Sequence, residues 1–305
     1  MDTDSILLSM TMLQEVIDGK TYDAVAAIYG VTRTAVERRI KAAALRLSRE
    51  VGIEGINEEG IAFVQRLRAC KPGIAAAIDQ YNPHIYQEKR VGRILTDEDI
   101  HRAVQKTRVR SPCPNRDVAL LYVLLTTGAR PLEIARLEVH DYLHADGSVR
   151  EESIMRTDVA VNRKTRPLFF VSEKSRESID SYLAERLQRN FFTKKHTDFR
   201  GLDPHSRLFL TETGMPFDIV QYGGQGQFRF LCRGILDMYR KIFRRIGLPG
   251  VSALSIRRTV ATRMFERGAA EDQIGEILGI SEKKSVRELL PKQRQPLQAV
   301  VRGLV

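Results

Sequence analysis

A chain of 305 residues is long enough for two domains that each bury a core. Its 43% hydrophobic and 29% charged residues are ordinary for a globular protein, and no run of eighteen apolar residues is present to span a bilayer. The formal charge of +11 favours polyanionic partners, because a basic surface attracts phosphates and releases their counterions. The opening MDTDSILLSMTM is acidic and lacks the basic n-region of a secretory leader. Cys70, Cys113 and Cys232 are an odd number, far apart, with no CxxC or His-x-His spacing. Reduced thiols in a cytoplasmic protein are expected, with no metal and no cofactor.

In chain order, apolar periodicity predicts a helix over 7–17 and a short one over Tyr22 to Tyr29, broken by Gly30. Thr32 reads as the N-cap of a longer helix over about 33–47, with Val36, Ile40, Ala43 and Leu47 as its apolar face. Residues 19–47 resemble the helix-turn-helix units of sigma factors and response regulators. From Val31 to Arg49 there are six basic residues and one acid, while the rest of the first sixty residues is acidic. Positive charge concentrated on one helix suits a groove-reading element, with Arg33, Thr34, Arg38, Arg39 and Lys41 as candidate DNA contacts. Three packed helices used for dimerisation are the alternative reading.

Helices are expected over Glu58 to Cys70 and Gly73 to Tyr81, separated by Lys71-Pro72-Gly73, followed by a linker through QYNPHIYQEKRVGRI. The organisation expected is an N-terminal helical DNA-binding domain over 1–92 and a second domain over 93–305. Thr96 and the acids after it start a helix, and DVALLYVLLTTGARPLEIARLEVHDY makes two helices joined at Thr127-Gly128. The stretch MRTDVAVNRKTRPLFFVS alternates like an antiparallel hairpin with its turn near Asn162 to Thr165. A helix over 173–189, an irregular stretch from Phe191 to Gly226 and a basic helix from Phe228 to Ile246 follow. Between Arg229 and Arg267 stand ten Lys or Arg and two acids, read as a DNA-facing surface or a solvated helix face.

TTGARPLEIARLEVHDY resembles the first signature box of tyrosine recombinases (phage integrases), and LSIRRTVATRMFERGAAEDQIGEILGI resembles the second. The boxes stand in the family's order, about 125 residues apart, with the hairpin between them. The resemblance covers about residues 95 to 290 and implies a tyrosine-recombinase-like catalytic fold, mainly α with a small antiparallel hairpin. It implies that Arg130 and Arg257 are the two guanidiniums that clamp a scissile phosphate, where charge develops during phosphoryl transfer. Lys164 is the nearest match to the hairpin lysine, and Arg258 lies beside the clamp. Arg258 or Arg263 is expected to pair with a buried carboxylate such as Glu133.

Three other positions depart from the family. Leu254 and Ile280 stand where it has proton-handling side chains, and Leu289 stands where the nucleophilic tyrosine is expected. No tyrosine occurs in the 66 residues after Tyr239. Those departures lead to the expectation of a chain that is not an enzyme: a sequence-specific DNA-binding regulator, such as a repressor of a phage or mobile element. The alternative is a site-specific recombinase or integrase, or an accessory recombination factor, working with an active partner. Double-stranded DNA is the expected partner, with no membrane. By the same resemblance, Leu297, Val300, Val301 and Leu304 of the C-terminal segment either form an interface in a homo-oligomer or pack onto their own domain.

Overall fold

The computed structural model describes residues 3–51, 53, 56, 62–80, 93–194, 197–222 and 229–290. The first unit is helical. α1 (Thr3–Ile17), α2 (Tyr22–Tyr29), α3 (Arg33–Val51), α4 (Phe63–Ala69) and α5 (Lys71–Gln80) surround a core in which Leu13, Val16, Val25, Val36, Ile40 and Leu47 are fully buried. Local chemistry sets the α2–α3 corner. Thr21 caps α2 by accepting the Ala24 N–H (3.2 Å), Gly30 closes it in the left-handed region, and Thr32 accepts the Ala35 N–H (3.2 Å) at the start of α3. Gly30 and Thr32 are the helix break and the cap expected from the sequence, Thr21 is a cap not read there, and α3 continues one turn beyond the expected end. Thr32→Ala leaves that donor without its acceptor and is expected to lower stability by about 1 kcal/mol, read from a urea unfolding curve.

Pro72 and Gly73 do not separate two helices as expected; both lie in the first turn of α5. A proline there disturbs no intrahelical bond, since the first-turn N–H groups have no partner within the helix. The expected helix start at Glu58 and the proposed division at 92/93 lie outside the described residues, as does the C-terminal segment from 291.

The second core is built on α7 (Pro114–Thr127), which packs against α6 (Asp97–Arg110), α10 (Glu173–Gln188) and α12 (Ala253–Glu266). A helix with neighbours on several sides must be apolar almost all round, and Ala119, Leu120, Val123 and Leu124 are fully buried. The short helices α8 (Pro131–Arg136) and α9 (Val139–Tyr142) follow. β1 (Glu152–Met155) pairs antiparallel with β2 (Arg166–Phe169), Met155 opposite Arg166. The connection is therefore the ten residues 156–165 rather than a tight turn at 162–165.

A second antiparallel pair joins β3 (Val220–Tyr222) to β4 (Arg229–Leu231). The basic helix expected from Phe228 begins later, as α11 (Arg233–Ile246), because Arg229 and Leu231 are buried in alternation with the half-buried Phe230. That is a strand's period. The chain continues through α12 to α13 (Glu271–Leu278) and α14 (Lys283–Arg287). The two units touch: α3 packs on α12, α5 packs on α11 and β4, and Ala76 of α5 belongs to the second core. No helix among the described residues is long and apolar enough to cross a membrane.

Candidate nucleic-acid interface

The segment Thr127-Gly128-Ala129-Arg130 turns the chain sharply between α7 and α8. Gly128 ends α7 at φ 60°, and a Cβ there would stand 2.4 Å from Leu278 Cδ2. Only glycine meets both the left-handed backbone and the close approach of α13. Thr127 Oγ1 then accepts the Ala129 N–H (3.1 Å), and Arg130 takes an extended conformation as the N-cap of α8. Its side chain is half-buried.

Glu133 organises this turn. Its carboxylate is fully buried and accepts the Arg130 N–H (2.7 Å), the Val161 N–H (3.1 Å) and Arg166 Nη2 (2.7 Å). Burial alone pushes its pKa up, but Arg166, Arg130 and the hydrogen bonds overcome that and hold it at about 2. The carboxylate therefore stays charged at neutral pH. Arg166, itself buried, donates Nε to the Ile277 carbonyl at the end of α13 (3.1 Å). A Cβ on Gly279 would stand 2.9 Å from Arg166 Nη1, so that glycine lets the guanidinium lie against the backbone. The expected partners of Glu133, Arg258 or Arg263, are corrected: Arg166 takes the carboxylate, and Arg263 pairs with Asp97 (2.7 Å).

Arg257 lies deeper than a side chain reaching for solvent. It is 3% exposed, with Nη1 donating to the Gly128 carbonyl and Nη2 to the Leu278 carbonyl (2.8 Å). Burial and the nearby positive charge of Arg130 lower its pKa to about 9. The guanidinium expected to reach the phosphate directly thus braces the turn that presents Arg130. Arg258 beside it is half-buried. Lys164 is exposed in the β1–β2 connection, where its N–H donates to Asn162 Oδ1 (3.1 Å), and Asn162 Nδ2 donates to the Gly279 carbonyl (3.2 Å). The structure thus gathers Arg130, Arg257 and the hairpin connection onto one buried frame that both signature boxes share.

The departing positions are apolar in context. Leu254 and Ile280 are half-buried against the second core, and Leu289 is buried within it at 8% exposure. The basic run is only partly a surface. Arg229 is buried at 1%, Arg245 pairs with Asp117 (2.9 Å) and Arg240 with Asp237 (2.9 Å), while Arg233, Lys241, Arg244 and Arg267 are exposed. On α3, Arg33, Thr34, Arg38 and Lys41 are exposed and Arg39 is half-buried. Arg33 approaches Asp23 at 3.9 Å, and Lys41 lies 5.9 Å from the centre of the Phe63 ring.

One cluster has no counterpart in the sequence reading. Glu138, His140 and His205 place ligand-type atoms within 4.8 Å of one another. Arg207 (2.9 Å) and Arg156 (3.3 Å) already pair with the Glu138 carboxylate, so its charge is met by guanidiniums.

This architecture is the tyrosine recombinase catalytic fold. No family model matches the chain. Among curated proteins it is similar to the tyrosine recombinase XerC of Pelotomaculum thermopropionicum, 26% identical over 196 residues, covering 63% of this chain and 55% of that protein. It is also similar to the tyrosine recombinase XerC of Bacillus subtilis, 24% identical over 204 residues, covering 66% and 57%. The chain spans about half the length of the curated relatives it matches. Among solved structures it is similar to the XerH site-specific recombinase bound to a palindromic difH substrate in a post-cleavage complex, with a TM-score of 0.50 and 16% identity, covering 84% of this chain and 67% of that chain. Recombinases are enzymes, so the expectation that the chain is not an enzyme is corrected by the names of its relatives. Those names fit the recombinase alternative at least as well as the regulator.

Proposed function

We propose that the chain is a DNA-acting site-specific recombinase or integrase subunit that grips the scissile phosphate and works with a second subunit carrying the attacking tyrosine. The observation that carries this reading is the frame of Glu133, Arg166 and Arg257, which fixes Arg130 at the turn of the first signature box. A guanidinium held there offers charge-assisted bonds to the non-bridging oxygens of a phosphodiester, with Lys164 exposed on the connection pinned to the same frame. In the cleavage step a phenolate oxygen bonds to phosphorus, the bond to the departing sugar oxygen breaks, and that oxygen takes a proton. Rejoining is the reverse. Residues 1–92 form the DNA-reading unit in this proposal, with α2 and α3 as a helix-turn-helix and Arg33, Thr34, Arg38, Arg39 and Lys41 toward the duplex. Residues 93–305 hold the phosphate, and the place of action is the cytoplasm.

The test mixes the chain with a XerC-type recombinase that has its tyrosine and a nicked suicide duplex, which traps the covalent intermediate. A phosphotyrosyl adduct on the partner should increase when this chain is present and fall at least tenfold with its Arg130→Ala variant. An adduct yield indifferent to both would sink the proposal.

A further inference from the structure

At the end of α7 remote from Gly128 lies a cleft that the proposed DNA chemistry does not use. Thirteen helical steps separate the two ends, about 20 Å along the axis. The cleft has an empty volume of about 240 Å³, part of it open to solvent, and runs between the start of α7 and the last two turns of α10. Cys113, Arg116, Tyr182, Arg186 and Arg189 line it.

The polar groups around it are donors in excess. Arg186 is 1% exposed and donates to the Arg207 carbonyl (2.9 Å), the Leu208 carbonyl (3.1 Å) and Ser206 Oγ (3.0 Å), yet among the described residues no carboxylate pairs with it and its buried Nε has no acceptor. Arg116 is 3% exposed and pairs with Asp117 (2.8 Å), but its buried Nη1 also has no acceptor among the described residues. Tyr182 is 5% exposed, and its oxygen accepts the Leu210 N–H (2.9 Å), leaving the phenol proton without an acceptor among the described residues. Three buried residues that line the cleft therefore each keep a donor proton without an acceptor among the described residues.

Charge points the same way. Asp117 is shared between Arg116 and Arg245, and Arg189 pairs with Glu185 (3.3 Å) at the rim, where Glu212 is the third acid. Among the lining residues three guanidiniums, of Arg116, Arg186 and Arg189, stand with two carboxylates, of Glu185 and Glu212, while Asp203 acts on Arg186 from outside the cleft. The cleft also adjoins the positive end of a fourteen-residue helix whose N-cap, Cys113, makes no side-chain capping bond. A buried guanidinium without a counterion is unfavourable, and an anion relieves it. A water molecule has two lone pairs and cannot accept from three donors, whereas a tetrahedral oxyanion accepts from all of them.

We propose that this cleft binds a small tetrahedral oxyanion of the phosphate or sulfate class, tying the start of α7 to α10 and the loop that Arg186 holds. The site is independent of the recombinase reading. Its test is the thermal midpoint of the full chain in rising inorganic phosphate, against sodium chloride of matched ionic strength, with isothermal titration of phosphate alongside. A saturable rise specific to phosphate is expected, since a ligand that binds only the folded state stabilises it by mass action. Tyr182→Phe and Arg116→Lys should each weaken phosphate roughly tenfold, the effect of losing one charge-assisted hydrogen bond. If Arg116→Lys does not fold, Tyr182→Phe decides alone. Arg130→Ala should leave this affinity as it was, which separates the cleft from the proposed DNA site. Midpoints that follow ionic strength alone, or phosphate binding lost with Arg130→Ala and kept with Tyr182→Phe, would overturn the assignment.

Discussion

Glu133→Ala is expected to destabilise the fold by about 3–5 kcal/mol, because it strips the counterion from a buried guanidinium and two N–H groups of their acceptor. Arg166 is buried, and the Arg130 and Val161 N–H groups point at the same carboxylate. The same residue sets an acid limit. Its folded pKa of about 2 lies below the usual 4.5, so its contribution is complete above about pH 4.5 and is lost as the pH falls toward 2. Spread over that window the loss amounts to about 3 kcal/mol. Urea unfolding of the native chain and of Glu133→Gln at a series of pH values checks both statements. The native chain should lose stability steeply between pH 4.5 and 2, and the variant should show a shallower slope. Parallel slopes would remove Glu133 from its place as the hub.

The second large effect is on DNA affinity. If Arg33, Arg38, Arg39, Lys41, Arg130 and Lys164 each neutralise one phosphate, the logarithm of affinity should fall against the logarithm of salt with a slope of about −5. Affinity then drops about a thousandfold between 50 and 200 mM salt. Fluorescence anisotropy of a labelled duplex across a salt series measures the slope directly. Replacing Arg38 and Lys41 together with alanine should make it shallower by about 2, the expected change for two phosphate contacts. A slope that stays unchanged in the double variant would take α3 off the DNA.

The sequence was most informative where a local rule had a single outcome. Gly30 ends α2 and Thr32 caps α3, so the corner between them was legible from residue types alone. The two signature boxes marked the turn at Gly128 and the helix bearing Arg257 for a similar reason. Long-range partners were not legible. Nothing local says that Glu133 would choose Arg166, 33 residues away, over an arginine in the second box. Nor does a motif arginine announce that it will be buried against two carbonyls, as Arg257 is. Arg229 reads as the start of a basic helix until its burial opposite β3 places it in a strand. Pro72 reads as a break because proline interrupts helix interiors, and only its first-turn position cancels that rule.

Val161 and Arg166 flank the segment that carries Lys164, and both attach to the same carboxyl group. The lysine thus rides on a short tether fastened at its two ends to one point, with Asn162 stitching the middle to the Gly279 carbonyl. A cation mounted in this way has little backbone freedom left to surrender when an oxyanion arrives, so most of the ordering penalty of contact has been met during folding.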